Sequence, residues 1–170
     1  MHPGLPDFGI MFGRAAGIAQ MDHLDRALLV CLQRDNQQTA ERLAEQVGRS
    51  SSAVARRVRR LRADGAIAAE MAVLSDAAAG HPLSAVVHVQ LERVAPHEGN
   101  LLRQRLVAHP QVQLCLDVAG AFEIVLLVVA ANMDVFNTFT LAELEQPIVR
   151  RFETSFVKKR HKASLAVPLA

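Results

Sequence analysis

From position 24 onward leucines and valines return every three or four residues, and from position 83 apolar residues alternate with polar ones instead. The first spacing is helical and the second belongs to strands. Leu24, Leu28 and Leu32 follow Asp22, a good N-cap, and predict a helix over 24–33 that the polar stretch 34–38 ends. Thr39 can cap a second helix with Leu43, Ala44 and Val47 inward, and Gly48 stands where a helix C-terminus calls for glycine. Ser50 is placed to cap a third helix, 51–63, which Asp64-Gly65 stops. Three short helices with a tight turn between the second and third make the helix-turn-helix layout. Residues 66–74 read as a short strand leading out, and 75–82 as a linker.

In the second half, Leu83, Ala85, Val87, Val89 and Leu91 alternate with Ser84, Val86, His88 and Gln90, which predicts a strand. A helix over 96–109 follows, with Leu101, Leu102 and Leu106 inward and Pro110 as its stop. A strand over 112–118 then turns at 119–121 into a nearly all-apolar strand over 122–130. A helix over 134–144, with Phe136 and Phe139 inward, precedes a last strand over 149–157. The trailing segment to Pro168 is expected to pair as an extra strand. The order β-α-β-β-α-β is the ferredoxin-like split βαβ arrangement. Its helices cover one face of the sheet. A second subunit is the natural cover for the other face, which implies a homodimer, and the N-terminal module is the alternative cover.

The expected architecture is therefore α+β, an N-terminal winged helix-turn-helix domain followed by a ferredoxin-like βαββαβ domain. The boundaries are a tail over 1–20, a helix-turn-helix domain over 21–74, a linker over 75–82 and the ferredoxin-like domain over 83–170. Gly and Pro crowd the first 20 residues, and no basic region precedes an apolar run, so a secretory signal does not fit. This stretch reads as a mobile tail. Met21 opens a well-formed helix start, which makes an assigned-start artefact the other reading of residues 1–20.

Composition narrows the chemistry. A chain of 170 residues holds one large domain or two small ones. Trp and Tyr are absent, which counts against platforms that stack single-stranded bases on aromatic rings. Cys31 and Cys115 lie far apart, which excludes a zinc ribbon or disulfide framework and fits a reducing cytoplasm; both read as core residues. The longest apolar run, 124–131, falls well short of the ~20 residues of a spanning helix, so no membrane partner is expected.

A net charge of +2 gives no hint of a nucleic-acid partner, but it conceals local blocks. Residues 49–62 hold six arginines and no acid. On the third helix Val54, Val58 and Leu61 define the buried side at about 100° per residue. Ser52, Arg56 and Arg59 fall opposite, flanked by Ala55 and Arg60. Arg57 lands at the edge of the buried stripe, where an ion pair or phosphate contact suits it better than base reading. Guanidinium forks match phosphates and guanine edges, and the small residues Ser51, Ser52, Ala53 and Ala55 let a helix enter a major groove about 12 Å wide. A solvated arginine face is the bland reading. The single sign of charge, the lengths of the preceding helices and the punctuated turn favour double-stranded DNA. The DNA-contacting candidates are Arg49, Ser50, Ser51, Ser52, Ala55, Arg56, Arg57, Arg59 and Arg60. A second block, 150–162, carries six Lys and Arg against Glu153 alone and finds no assignment.

The chain from Asp22 to Leu165 resembles the Lrp/AsnC (feast/famine) transcription regulators. Leu24-Asp25 with Leu28 and Leu32 looks like their opening helix. Leu43-Ala44, Val47-Gly48 and Ser50-x-x-x-Val54-x-x-Arg57-Val58-x-x-Leu61 match their helix-turn-helix, and Asp64-Gly65-x-Ile67 its exit. Gly120-x-Phe122-Glu123 is similar to their Gly-x-Tyr/Phe-Asp turn, and Thr154 with Phe156-Val157 to their final strand. The resemblance implies a RAM/AsnC-type effector domain, a homodimer assembling into a tetramer or octamer, and a small-molecule effector, an amino acid, held between dimers. By the same resemblance Asp117, Ala119, Gly120 and Glu123 lie near the effector. An acidic side chain there could meet an α-ammonium group and free amides a carboxylate.

Three positions depart from the family pattern. Arg49 stands for the usual Leu, which loosens the turn or adds a phosphate contact; Arg42 stands for the Glu of a capping box; Glu123 stands for Asp. Glu123 reads equally as a turn carboxylate capping local amides. The competing function is a haem-pathway decarboxylase of the same two-domain architecture. His81, His88, His97, His109 and His161 are scattered, however, and Tyr and Trp are missing. No catalytic residue, metal ligand or cofactor is expected.

Overall fold

The computed structural model describes residues 21–75, 78–80, 82–93 and 96–169. The tail expected over 1–20 and parts of the linker expected over 75–82 lie outside them. The chain forms two units. One holds the described residues to Ala72 together with those from Ala163 onward, and the other holds Val73–Lys162.

The first unit is built on α1 (His23–Arg34), α2 (Ala40–Val47) and α3 (Ser51–Ala63). Asp22 caps α1 through a reciprocal box: its carboxylate accepts from Asp25 N at 2.8 Å, and Asp22 N donates to Asp25 Oδ2 at 3.2 Å. Thr39 Oγ1 accepts from Arg42 N at the start of α2, and Arg42 returns nothing, so the box is half made. Gly48 ends α2 at φ +65°, a left-handed conformation that a Cβ penalises. Ser50 has the backbone of an N-cap for α3, but its side chain makes no capping bond; its Oγ lies 3.4 Å from Ser52 Oγ. Leu28, Leu43, Val54 and Leu61 close the core with Leu24, Leu29, Leu32, Ala44 and Val58. Burying each larger apolar side chain contributes about 1.5–3 kcal/mol.

Two expectations fail in this unit. Residues 66–74 form no strand: among the described residues no neighbour offers them a ladder partner. The trailing segment is likewise no extra strand. Gln33 Oε1 instead accepts from Val167 N at 2.7 Å, Gln33 Nε2 donates to Val167 O at 3.2 Å, and Leu169 packs on the helical core. One side chain thus satisfies both polar groups of a backbone residue that has no strand beside it.

The second unit contains β1 (Leu83–Leu91), α4 (Pro96–Ala108), β2 (Val112–Asp117), β3 (Ile124–Ala130), α5 (Met133–Phe139) and β4 (Val149–Phe156). The antiparallel sheet has the order β2-β3-β1-β4, so each βαβ crossover spans an intervening strand, as the ferredoxin-like reading requires. Val87 faces Leu126 and Thr154, which sets the register of the central strands. Ala85, Val87, Val89, Ile124, Leu126, Val128 and Ala130 are buried under Leu102 and Leu106 of α4 and Phe136 and Phe139 of α5. The single helix expected over 134–144 is divided: α5 ends at Phe139, and a π-helical turn, Thr140–Leu144, follows and buries Leu144. The opposite face carries Leu114 and Leu116, both exposed, beside the half-buried Val86, Val125, Leu127 and Val129.

Candidate functional site

In α3 the buried stripe Val54, Val58 and Leu61 turns Ser52, Arg56 and Arg59 outward. The six arginines of 49–62 separate into two groups. Arg57 Nη1 donates to Asp22 Oδ2 at 2.7 Å and to Asp25 Oδ1 at 2.9 Å. Arg60 Nη2 lies 2.5 Å from Asp25 Oδ2, and its Nε lies 3.8 Å from Asp64. Arg62 reaches Glu70 at 2.7 Å. Arg49, Arg56 and Arg59 have no acidic partner among the described residues. Arg49 Nη1 rests only on Gly48 O at 3.2 Å.

Arg57 thus makes the ion pair that its edge position suggested. Arg60, expected beside the DNA-facing side, is half exposed and turned to Asp25. Asp25, expected only as part of the opening-helix motif, has a side chain 1% exposed and is met by two guanidiniums and by Asp22 N. The available signal was Asp22-x-x-Asp25, acids three residues apart at a helix start. The bond from Asp25 N and then the Arg57 guanidinium hold the Asp22 carboxyl down at about 2, against an ordinary 3.8. The two carboxylates in turn push the Arg57 pKa up.

The second set of candidates surrounds the turn between β2 and β3. Asp117 and Glu123 flank it, with Val118 N donating to Glu123 O at 2.9 Å. Ala119 and Gly120 are exposed at its tip. Among the described residues the N–H groups of Ala119, Gly120 and Ala121 donate to no protein acceptor. The two acids, however, are engaged. Asp117 Oδ1 accepts from Arg103 Nε at 2.6 Å. Glu123 Oε2 accepts from Leu91 N at 2.9 Å, while its own N–H donates to Val89 O. Glu123 therefore caps an amide of the neighbouring strand, 32 residues away in sequence, rather than amides of its own turn. Cys115 sits half-buried beneath, and burial first, then Asp117, pushes its thiol pKa up. A shallow cleft of about 320 Å³ elsewhere in this unit is lined by Leu101, Arg105, Gln146 and Ile148 and includes none of the candidates.

Among the described residues the histidines do not converge. His88 packs on Phe122 and His109 meets Phe139 edge-on, while His97 lies on α4, His161 lies in the C-terminal segment, and His81 is outside the described residues. Among the described residues no group of three His, Cys, Asp or Glu could hold a metal ion, and no helix is long and apolar enough to cross a membrane.

Residues 21–62 match the AsnC-type helix-turn-helix domain, and residues 84–167 match the Lrp/AsnC ligand binding domain. An uncharacterised HTH-type transcriptional regulator of Sinorhizobium fredii is 34% identical over 151 residues, which cover 88% of this chain and 89% of that protein. A solved AsnC family transcriptional regulator from Agrobacterium tumefaciens superposes with a TM-score of 0.81 at 22% identity, over 87% of this chain and 97% of its own. A transcriptional regulator of Neisseria meningitidis, solved as a complex with L-Met, gives a TM-score of 0.79 at 25% identity, over 88% and 97%. These are regulators rather than enzymes, so the decarboxylase reading is not favoured. The helix-turn-helix with its outward arginines, the split βαβ sheet and these two domain matches lead to one assignment: the chain belongs to the Lrp/AsnC family of DNA-binding transcriptional regulators.

Proposed function

We propose that this regulator reads its operator with Arg56 and Arg59, and that Arg57 and Arg60 position α3 rather than read bases. The observation that carries this is the division of the arginines by Asp25: Arg57 and Arg60 are tied to a buried carboxylate, while Arg56 and Arg59 project from the opposite side with no acid beside them. Two outward guanidiniums three residues apart on a helix suit base edges and phosphates in a major groove. Ser50, Ser51, Ser52 and Ala55 form the small leading edge that lets the helix backbone approach, and Arg49 adds a phosphate contact at the turn.

Regulators of this family bind DNA and small-molecule effectors and oligomerise. For this chain the reading is a cytoplasmic homodimer joined through the open sheet face, where Leu114 and Leu116 are exposed, and stacked into a tetramer or octamer. The effector is an amino acid at the 117–123 turn. Free amides at Ala119 and Gly120 suit its carboxylate, and Asp117, whose side chain is two-thirds exposed, suits its ammonium group once released from Arg103. The L-Met complex of the Neisseria relative supports this class of ligand.

The test is a fluorescence-anisotropy titration of the full chain with duplexes tiled across its own upstream region, with and without each amino acid. Binding confined to one duplex and weakened by Arg56→Ala supports the reading. Equal binding of every duplex by the parent and by that variant rejects it.

A further inference from the structure

The second basic block remains. Lys158, Lys159, Arg160, His161 and Lys162 form an unbroken run, and no acid occurs between Val157 and the C-terminus. All five are exposed and outside regular secondary structure. Lys158, Lys159 and Lys162 make no ion pair among the described residues, and Arg160 reaches only Ser84 Oγ at 3.5 Å.

A run of exposed lysines is ordinarily just solvated. This one differs because the chain is held on both sides of it. Before it, Val157 N donates to Ser84 O at 2.9 Å, just beyond the end of β4. After it, Val167 is clasped by both polar atoms of Gln33 and Leu169 enters the helical core. Gln33 belongs to α1, in the same unit as the helix-turn-helix. Five residues of chain link Lys162 to Val167, so Lys162 stays within about 17 Å of that clasp however the segment is bent. The charges therefore end the second unit and are followed by a short segment whose far end is clasped, and ordering them on a ligand costs less than ordering a free tail.

We propose that Lys158–Lys162 is a second DNA-contacting element of this regulator, one that grips duplex phosphates and reads no bases. The chemistry selects that partner. Three of the segment's four Lys and Arg carry ammonium groups, point charges that suit phosphate oxygens, whereas sequence reading relies on forked or amide side chains, and the one fork, Arg160, is turned to Ser84 Oγ. The segment holds no Phe, Tyr or Trp on which single-stranded bases could stack. The proposal rests on the DNA-binding assignment above.

The experiment uses the full chain, its operator duplex and a scrambled duplex of equal length, each titrated by anisotropy at a series of salt concentrations. The parent is compared with the triple variant Lys158→Ser, Lys159→Ser, Lys162→Ser and with Gln33→Ala, which keeps every charge and loses the clasp. The three lysines are exposed, so the triple variant retains the fold. For it, both duplexes bind more weakly by the same factor. The slope of log K against log salt becomes shallower by about 0.9 for each phosphate no longer neutralised, or about 1 to 3 in all. Gln33→Ala gives a smaller change of the same sign. An unchanged slope in the triple variant overturns the proposal and leaves the DNA-binding assignment intact. A loss confined to the operator duplex overturns it too, because that marks base reading. A changed oligomeric state of the variant in sedimentation overturns it by assigning the segment to subunit contacts. A parent that binds neither duplex removes the assignment itself.

Discussion

Arg57 Nη1 lies 2.9 Å from Asp25 Oδ1, joining the helix that carries the outward arginines to the first helix of the domain. The Asp25 side chain is 1% exposed, while that of Arg57 is 29% exposed, so the acid is the fixed end of the pair and the base its adjustable end. This asymmetry predicts different costs for removing each partner. Asp25→Ala removes one acceptor from each of two arginines and from the Asp22 amide, leaving Arg57 with Asp22 alone, and is expected to destabilise the first unit by about 2–3 kcal/mol, below a fully buried pair because both guanidiniums can turn to water. Arg57→Ala leaves Asp25 with Arg60 and Asp22 N and is expected to cost about 1–2 kcal/mol. Urea unfolding followed by far-UV circular dichroism measures both, and equal costs would contradict the asymmetry.

The same pair separates stability from DNA affinity. Arg56→Ala is expected to leave the unfolding midpoint unchanged and to lose about 1–3 kcal/mol of operator affinity, as removal of a base contact does. Arg57→Ala is expected to do the reverse: a lower midpoint, and a smaller loss of binding at low temperature, where the variant is folded. Anisotropy and thermal melting on the two variants decide it, and a full-strength Arg56→Ala would remove that residue from the interface.

Asp22 predicts a pH dependence. Its folded carboxyl is held at about 2 against an ordinary 3.8, first by Asp25 N and then by Arg57. With the folded value depressed, the unfolded chain takes up the proton first, so the contribution is whole above about pH 4 and disappears as pH falls toward 2. Asp22→Asn keeps an oxygen for the cap and removes the charge. The gap in Tm between parent and variant is expected to be constant from pH 7 to 5 and to close between pH 4 and 2. A gap that persists at pH 2 would show that charge is not its source.

Glu123 predicts a result that separates shape from charge. Its carboxylate accepts from Leu91 N at 2.9 Å across the end of the sheet. Glu123→Gln retains an oxygen acceptor and is expected to alter Tm by only about a degree, whereas Glu123→Ala leaves a part-buried amide unpaired and costs about 1–2 kcal/mol. If Glu123 also meets the effector's ammonium group, isothermal titration of Glu123→Gln with the cognate amino acid loses affinity while stability holds. Unchanged affinity restricts the residue to the sheet.

Gly48 offers a control on backbone conformation. It sits at φ +65°, and no atom lies within 4 Å of the place a Cβ would take. Gly48→Ala therefore meets no clash and carries only the left-handed backbone penalty, about 1 kcal/mol. A larger loss in chemical denaturation would point to a packing role for the turn.

Much of this molecule is legible in its residue pattern. The bounds of α3 and β1, Ser51–Ala63 and Leu83–Leu91, coincide with the ranges that periodicity predicts, because amphipathic spacing is a local property that each segment carries by itself. The outward set Ser52, Arg56 and Arg59 follows from the same geometry. Local signals also mislead in places, and Leu101, expected inward, is exposed. Ser50 has the residue type of a cap without the bond, residues 66–74 have strand-like composition without a partner strand, and the helix expected to run to Leu144 changes to a π-turn after Phe139.

Sequence alone determined the order of elements, the family and the presence of an arginine block, since these depend on residue types at short separations. Tertiary structure decided which arginines are available. Asp25 meets Arg57 and Arg60 across 32 and 35 positions, Glu123 meets Leu91 across 32, and Gln33 meets Val167 across 134. No periodicity encodes such pairs. The pairs of Asp25 and Glu123 arise when packing takes distant polar groups partly out of water, where each must find a partner, and at Asp25 that requirement leaves Arg56 and Arg59 facing outward while their neighbours are tied down.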